Sequence, residues 1–388
     1  MTSFRSALRT RGNCAVDQDK YISHYTSARK PIAPSVSLDL PGLPNGKAVL
    51  PHWNRTSPVI LDKIKVSDRN LFCMSTHADE VVVGGADHSL TVLRVSPEGR
   101  LQSARKLYSK QFGHCDWVTT VVHLPDGKIV SGGMDSKICM WSGTRCKHLI
   151  DHAGSVSRIR TLGRKHFISS SYDRSLKCWC SKTGKILTSL HGHLGAILDF
   201  EVLANSLIVT ASRDSTARLW DLNQGKEVAS FREHQGHVSA LAVRDQYVFT
   251  GDQGSTVRIW DSRTPRLICE MTPFTRGAAV THLEPTCPSR TAAAAADGKL
   301  CTIGSVEENF GIISSNSDIQ NGSFIYSVKC CRDGTIVWGG GNGTIGTRKD
   351  DGGTTSHIKV DQNAIRAMNF TCSGTLVVAT DDGNAISL

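Results

Sequence analysis

The sequence lacks the features that would mark it as a membrane, disordered or disulfide-rich protein. Its longest run of small apolar residues, Thr291–Ala296, is far shorter than the roughly 18–20 residues that a membrane-spanning helix needs. Only 12 of the 388 residues are proline and 21% are charged, which does not fit a disordered chain. The 13 cysteines are odd in number and include no Cys-x-x-Cys pair, so they favour a reducing compartment over a disulfide framework. We therefore expect a soluble, cytoplasmic protein with no membrane contact.

What the sequence does contain is a repeat. Three segments align without gaps, and in each a His precedes an Asp by 21 residues and the Asp precedes a Trp by 6. A fourth copy has the His and the Trp but carries Gly254 where the others have Asp. The repeated residues are His114, Asp135 and Trp141; His152, Asp173 and Trp179; His193, Asp214 and Trp220; and His234 and Trp260. Such internal periodicity indicates an architecture built from one repeated unit.

The same register continues beyond these four copies. Polar turn residues recur at Asp87, Asp297, Asn342 and Asp382, and the eight turn positions are separated by 38 to 48 residues. Between them lie short alternating runs rich in Val, Ile and Thr, such as Leu207–Thr210, bounded by Gly and Asp. Runs of this kind predict short antiparallel β-strands. The sequence is therefore predicted to be all-β.

The repeats resemble the WD40 family. Two of them open with Gly-His, at Gly113-His114 and Gly192-His193, and two end in Leu219-Trp220-Asp221 and Ile259-Trp260-Asp261. The resemblance covers residues 59–388 and implies a single WD40-type β-propeller with four strands per blade. Eight turn positions predict eight blades, with seven as the alternative. The last copy ends at its third strand, so we expect Val59–Lys65 to supply the fourth and close the ring.

Residues 1–58 differ from the repeats in composition. They hold six of the 12 prolines, and eight basic residues against three acidic ones. Because proline lacks an amide donor, we predict an irregular basic arm that the propeller does not need for folding. The arginines before Asp17 also resemble a mitochondrial presequence, so mitochondrial import stays open beside a nuclear location.

The repeated His, Ser or Thr, and Asp residues invite a catalytic reading, because a hydrolase uses these types as base, nucleophile and orienting group. A hydrolase needs one such set beside one pocket, however, and here the set recurs in successive repeats. In WD40 proteins it forms a structural hydrogen-bond network within each blade, and we assign it that role. We predict no catalytic or cofactor site. Neither Cys178-Trp179-Cys180 nor Cys330-Cys331 has zinc-ligand spacing, so no metal site is predicted either.

The predicted binding surface is the rim of the propeller, at residues just before each turn Asp and three after each repeat His. These residues are Met134, Tyr172, Arg213, Gln253, Trp117, Ser155, Ala196 and His237. Trp, Tyr and Arg are the types most enriched in binding hot spots. The sequence thus predicts a non-enzymatic scaffold, without a small-molecule substrate, that binds proteins with acidic surfaces in a multisubunit assembly, with a cytoskeletal or ciliary setting.

Two alternatives stay open. Trp260-Asp261-Ser262-Arg263 matches the ending of WD40 substrate receptors in one cullin-RING ubiquitin ligase class, whose Arg contacts the adaptor; Arg263 is its counterpart. The formal net charge of +10 also suits a ribonucleoprotein component that binds nucleic acid.

Overall fold

The structure of the protein is a computed structural model. It describes residues 53, 58–203, 206–286, 290–306, 309–316, 323–349, 353 and 355–388. Apart from Trp53 and Pro58, the predicted arm lies outside the described residues. Over the described part of the chain, no helix has the length and apolar character needed to cross a bilayer.

The described chain folds into eight antiparallel sheets of four strands, each formed by consecutive segments except the last. The first four sheets, blades 1 to 4, are β2–β5 (Leu71–His77, Glu80–Gly85, Leu90–Val95, Leu101–Leu107), β6–β9 (Val118–His123, Ile129–Gly133, Lys137–Ser142, Arg145–Ile150), β10–β13 (Val156–Leu162, His166–Ser171, Ser175–Cys180, Ile186–His191) and β14–β17 (Ile197–Val202, Leu207–Ser212, Ala217–Asp221, Lys226–Phe231).

The remaining blades, 5 to 8, complete the ring. They are β18–β21 (Val238–Arg244, Tyr247–Asp252, Val257–Asp261, Arg266–Met271), β22–β25 (Val280–Pro285, Arg290–Ala295, Leu300–Val306, Asn309–Asn316), β26–β29 (Ile325–Cys330, Thr335–Gly340, Thr344–Lys349, Ser356–Lys359) and β30–β32 with β1 (Ile365–Phe370, Leu376–Thr380, Asn384–Ser387, Asp62–Lys65). The first strand of each blade contacts the first strand of the next, and β30 contacts β2. The predicted eight-bladed propeller is confirmed.

A tight turn joins the second and third strands of every blade, at the eight positions found by the repeat. The residue after each turn position has a positive φ in all eight blades. Five of these residues are not glycine, and the other three are Gly298, Gly343 and Gly383. At Gly383 the space is also closed, because an added Cβ would lie 1.9 Å from the carbonyl oxygen of Ser67. The packing at this position therefore requires glycine, whereas the positive φ alone is adopted by other residue types at five equivalent positions.

The ring is closed by β1. Asp62–Lys65 pairs antiparallel with Asn384–Ser387, so the chain's early residues supply the outermost strand of blade 8. Lys63 also donates from Nζ to Oδ1 of Asp361, at 2.9 Å. The predicted closing segment was longer, but Val59 and Ile60 are exposed and precede the pairing.

Apolar packing lies between the blades. Eight buried clusters occupy the eight interfaces, and each combines side chains from two neighbouring blades. The cluster between blades 7 and 8 includes Trp53, whose ring is 6% exposed and lies edge-on to Phe370 at 5.4 Å between centroids. The expectation that residues before 59 are dispensable for folding is therefore revised at Trp53, which packs in the propeller core.

Candidate functional site

The repeated polar residues form a hydrogen-bond network inside each of four blades. In blade 3, Nδ1 of His152 lies 2.7 Å from Oδ2 of Asp173, and its Nε2 lies 2.8 Å from Oγ of Ser169. The Nε1 of Trp179 donates to the same Ser169 oxygen at 2.8 Å. With Nδ1 protonated, every polar atom in this chain of bonds has a partner, as a buried polar network requires.

The same geometry recurs in blades 2 and 4. The internal repeat predicted a Ser or Thr in each network but did not specify its position. The hydroxyl is that of Ser131 in blade 2 and Thr210 in blade 4, each bonded to both a His and a Trp. The carboxylates of Asp135 and Asp214 lie 3.0 and 2.7 Å from Nδ1 of their histidines, His114 and His193.

Blade 5 keeps the network although Gly254 occupies the Asp position. Asp252, two residues earlier, places Oδ2 at 2.8 Å from Nδ1 of His234, and Thr250 accepts from Trp260 at 2.9 Å. The Nη1 of Arg258 also approaches Oδ2 of Asp252, at 3.3 Å. Thus the expectation that this blade lacks the carboxylate was wrong. The sequence signal was an acidic residue two positions after Thr250, on the same face of β19.

These networks are closed to substrates. The side chains of all four histidines are 0% exposed, and both ring nitrogens of each are engaged within the blade. The hydroxyl that a triad would use as its nucleophile is itself buried and bonded to a Trp. The arrangement can satisfy buried polar groups and fix the strands of a blade, but it cannot present a nucleophile to a ligand.

The network also governs how the carboxylates ionise. Burial opposes the ionisation of Asp135, yet hydrogen bonds from His114 and from backbone amides outweigh it and lower its pKa to about 2. The same balance, with burial opposed by the bonded histidine, holds the pKa values of Asp173, Asp214 and Asp252 below their usual range.

We expect these carboxylates to make the fold sensitive to acid. Because the pKa of Asp135 is lower in the folded state than the ordinary 3.8, its contribution is complete above about pH 5 and is lost as the pH falls toward 2. That contribution is on the order of 2 kcal/mol. Asp135→Asn should lower the free energy of unfolding at pH 7 and flatten its pH dependence between pH 5 and 2.

Urea unfolding at several pH values measures this effect. Asp126→Asn is the control, because Asp126 is an exposed carboxylate on the same blade that pairs only with a neighbouring lysine in the described structure. His123 contributes separately. Burial lowers its pKa to about 4, so between pH 6.5 and 4 the unfolded chain binds a proton that the folded protein does not. Stability therefore decreases over this range in every variant. Parallel curves for wild type and Asp135→Asn below pH 5 would contradict the prediction.

The predicted rim residues lie together at one end of blades 2 to 5. Within each blade, the amide of the residue before the turn donates to the carbonyl of the residue three after the His. These pairs are Met134 with Trp117, Tyr172 with Ser155, Arg213 with Ala196, and Gln253 with His237, at 2.8 to 3.0 Å. The repeat thus sets neighbouring side chains at the same height in successive blades. We call these eight residues the rim surface.

Contacts between blades join the rim surface into one arc. Ser155 Oγ donates to the carbonyl oxygen of Met134 at 3.1 Å, and Nδ1 of His237 lies 2.5 Å from that of Arg213. The guanidinium of Arg213 lies 5.3 Å from the ring centre of Tyr172, which is a cation–π distance. The side chains that link adjacent blades are therefore held by the scaffold.

Three large apolar side chains of the rim surface face solvent. Trp117, Met134 and Tyr172 are 44%, 43% and 44% exposed. Trp117 also packs on Phe72 of blade 1, with ring centres 5.2 Å apart, so part of its ring contacts the protein and the rest is open to solvent. Arg213 and Gln253 are exposed beside them.

Arg263 lies apart from the rim surface. It follows β20, whereas Gln253 precedes that strand, so the two residues sit at opposite ends of blade 5. Its side chain is 67% exposed, and its guanidinium lies 3.4 Å from the carboxylate of Asp261. The sequence-predicted binding residues therefore divide into one arc and one separate arginine.

The sequence prediction missed one group of chemically reactive side chains. Ligand atoms of Cys139, Cys146 and His148 all lie within 4.8 Å of one another in blade 2. No spacing rule identified them, because they stand on two paired strands. By contrast, Cys178, Cys330 and Cys331 are buried and Cys180 is half-buried, as expected for small apolar side chains.

Comparisons with known proteins agree with the geometry. A family model of the WDR41 β-propeller matches residues 144–332, and one of the WD domain, G-beta repeat, matches residues 105–142. The chain belongs to the WD40-repeat β-propellers. The matched WDR41 range spans blades 3 to 6 in full, and the repeat model covers the part of blade 2 that includes the His114 network.

Solved structures share the fold at low sequence identity. Sqt1 of Saccharomyces cerevisiae is 13% identical, with a TM-score of 0.74 over 86% of this chain and 99% of that one. Sqt1 of Chaetomium thermophilum, solved bound to the N-terminus of the ribosomal protein L10, is 15% identical with a TM-score of 0.73 over 85% and 99%. The computationally designed Ika8 protein is 20% identical, with a TM-score of 0.73 over 85% and 99%.

One curated relative is more similar over a short range. Pre-mRNA-processing factor 17 of Saccharomyces cerevisiae is 35% identical over 96 residues, which are 22% of this chain and 21% of the relative. The chain thus spans about a fifth of the length of that relative.

Proposed function

We propose that this propeller is a scaffold that binds another protein through the rim surface. The observation that carries the proposal is the arc of exposed Trp117, Met134, Tyr172 and Arg213, whose backbone is linked between blades by hydrogen bonds and whose rings contact Phe72 and Arg213. Large aromatic side chains and arginine on a rigid support lose little conformational freedom on binding, which is why such residues dominate interface energies.

The charge of the rim surface indicates the chemistry of the partner. Arg213 is an exposed cation beside Tyr172, and exposed Arg174 follows two residues after that tyrosine. A carboxylate of a partner can pair with Arg213 while an apolar side chain packs on Trp117 or Met134. We therefore propose a partner segment that combines acidic and apolar residues. The Sqt1 structure with the N-terminus of L10 supports this mode, because there a propeller of the same fold holds the terminus of another protein.

The basic arm would add a second contact of a different kind. Its charges would be screened by salt within a Debye length of about 8 Å, so they would mainly speed the encounter with an acidic partner. The multisubunit assembly, its cytoskeletal or ciliary setting and the cytoplasmic location stay predictions.

The test compares two substitutions at opposite ends of the propeller. Proximity labelling with the full chain identifies a partner, and binding kinetics then measure each variant against it. We expect Tyr172→Ala to weaken binding by about 2 kcal/mol or more, mainly through faster dissociation, because it removes an aromatic contact and the support of Arg213. Arg263→Ala should leave binding unchanged.

A Tyr172→Ala chain that binds normally would contradict the rim proposal. The exposure of Arg263 favours one second function, that of a ubiquitin-ligase substrate receptor whose Arg263 reaches an adaptor. That function gives the reverse result, in which Arg263→Ala loses the partner and Tyr172→Ala keeps it. A nucleoprotein role predicts binding to RNA that weakens steeply with salt and responds to neither single substitution.

A further inference from the structure

A cluster of soft ligand atoms lies on the outer half of blade 2, away from the rim surface. Cys139 belongs to β8, and Cys146 and His148 belong to β9. In the pairing of these strands, Cys139 is opposite His148 and Trp141 is opposite Cys146. Because alternate residues of a strand share a face and opposite residues face the same side, all three ligand side chains point to one face of the blade.

The register of this hairpin brings the three side chains of the cluster to one face of blade 2. In five other blades the pairing of the third and fourth strands shifts by one residue at or beside the Trp position. The β8–β9 pairing has no such shift, so Cys146 and His148 stay on the same face as Cys139. That face packs toward blade 1, where Cys139 is fully buried and Cys146 is partly buried.

A backbone oxygen completes the group of ligand atoms. The carbonyl oxygen of Phe112 lies 2.7 Å from Sγ of Cys146 and 3.7 Å from Sγ of Cys139. The Phe112 ring also covers His148, with ring centres 5.7 Å apart. Within the part of the chain that the structure describes, the buried Nε2 of His148 has no hydrogen-bond partner. Two sulfurs, an imidazole nitrogen and a carbonyl oxygen thus converge on one place.

We propose that Cys139, Cys146 and His148 bind one zinc ion, with the carbonyl oxygen of Phe112 as the fourth ligand. Zinc prefers tetrahedral sets of thiolate and imidazole ligands. Tetrahedral zinc separates two sulfurs by roughly 3.8 Å and a sulfur from a nitrogen by roughly 3.5 Å. The present separations of at most 4.8 Å reach this geometry through small side-chain movements. Each thiol gives its proton to solvent as its sulfur binds.

The ion would fasten the segment that joins blades 1 and 2. Phe112 belongs to the loop between β5 and β6, and His114 and Trp117 follow two and five residues later in the same loop. Zinc would tie this loop to the outer hairpin of blade 2. It would therefore support Trp117 at the start of the rim surface, at a site distinct from the surface that binds the partner.

The experiment titrates the reduced full-length chain with zinc against a chromophoric chelator. We expect one equivalent to bind tightly, and Co²⁺ in its place to give the near-ultraviolet charge-transfer band of thiolate ligands. Cys146→Ser and His148→Gln each remove one ligand and should weaken zinc binding about 100-fold or more, since even second-shell changes weaken metal binding 10- to 100-fold. Zinc should raise the melting temperature of wild type more than that of either variant.

Cys269→Ser is the matched control, because Cys269 is also a half-buried cysteine on the outermost strand of its blade. It should bind zinc as wild type does. Circular dichroism without metal shows whether each variant is folded, and His148→Gln keeps the test informative if a cysteine variant is not. A reduced wild-type chain that takes up no zinc overturns the proposal. So does equal affinity in folded wild type and His148→Gln, which would place the ion elsewhere.

Discussion

Replacing Asp252 by alanine should destabilise the propeller by about 3 kcal/mol or more, because the change removes a buried carboxylate that bonds both to His234 and to the buried guanidinium of Arg258. The carboxylate of Asp252 is 1% exposed and bonds to His234 and Arg258 as well as to the amides of Gly254 and Thr256. Without it, the guanidinium of Arg258, which is 5% exposed, keeps the outer carboxylate of Glu270 and faces Nδ1 of His234 at 2.9 Å without that buried anion beside it.

A transposed variant isolates the role of the carboxylate. Combining Asp252→Gly with Gly254→Asp gives blade 5 the arrangement of blade 2, in which Gly133 precedes Asp135 by two residues. The new carboxylate could then meet His234 and approach Arg258, as Asp214 lies 3.9 Å from Arg218 in blade 4. We expect this double variant to recover most of the stability lost in Asp252→Gly alone.

Urea unfolding at pH 7 compares these chains. Asp261→Ala is the control at the other end of the same blade; its carboxylate pairs with the exposed Arg263, so the substitution should cost at most about 1 kcal/mol. If Asp252→Ala unfolds at the wild-type urea concentration, the network does not stabilise blade 5. If the transposed variant is no better than Asp252→Gly, position along the strand matters more than the carboxylate itself.

The case of Asp252 shows which parts of the fold the sequence could predict. The spacing of His152, Asp173 and Trp179 repeats because blades 2 to 5 use the same donors and acceptors at the same heights, and the turn positions carry that register through the other four blades, so the eight blades follow from the repeat. The repeat does not show which backbone position places a carboxylate beside the histidine. Oδ2 of Asp252 contacts His234 from a position two residues before the one that the repeat predicts, and only the three-dimensional path of the strand shows this.

The zinc ligands proposed here escaped prediction for a related reason. Whether Cys146 shares a face with Cys139 depends on the register of one hairpin, and most other blades shift by one residue at that place. The available signal was the connection between the two strands, which is two residues long in blade 2 and four or five in blades 1, 3, 4 and 5; the repeat alignment did not use it. The common position of the rim residues at one end of blades 2 to 5 was easier to predict, because it depends on their distance from the repeated His and Asp, and the blade sets that distance; their role in binding stays a prediction.

Trp53 is a further case in which composition misled. The prolines around it indicate irregular backbone, yet irregular backbone can still carry a side chain into a core. Its buried ring packs with Phe370 of blade 8. A domain boundary drawn from proline content alone would therefore remove a core residue with the arm.

Removing the closing strand should have the largest effect of any change to this chain. A chain that begins at residue 69 lacks Asp62–Lys65, and β32 then exposes an unpaired edge. It also lacks Lys63, whose ammonium pairs with the nearly buried carboxylate of Asp361. An exposed strand edge templates pairing with other chains, so we expect this truncation to aggregate.

A chain that begins at residue 57 separates the strand from Trp53. It keeps β1 and should stay soluble and monomeric, but with Trp53 gone it should be less stable by about 3–5 kcal/mol, the usual effect of deleting a large aromatic side chain from a core. Trp53→Ala in the full chain should reproduce that loss. Size-exclusion chromatography and thermal unfolding of the three chains beside wild type measure both effects.

Adding a peptide of residues 59–68 to the chain that begins at 69 should restore solubility, because the peptide can pair with β32 in place of the missing strand. Equal solubility of the chains beginning at 57 and 69, without the peptide, would show that the ring holds together without β1.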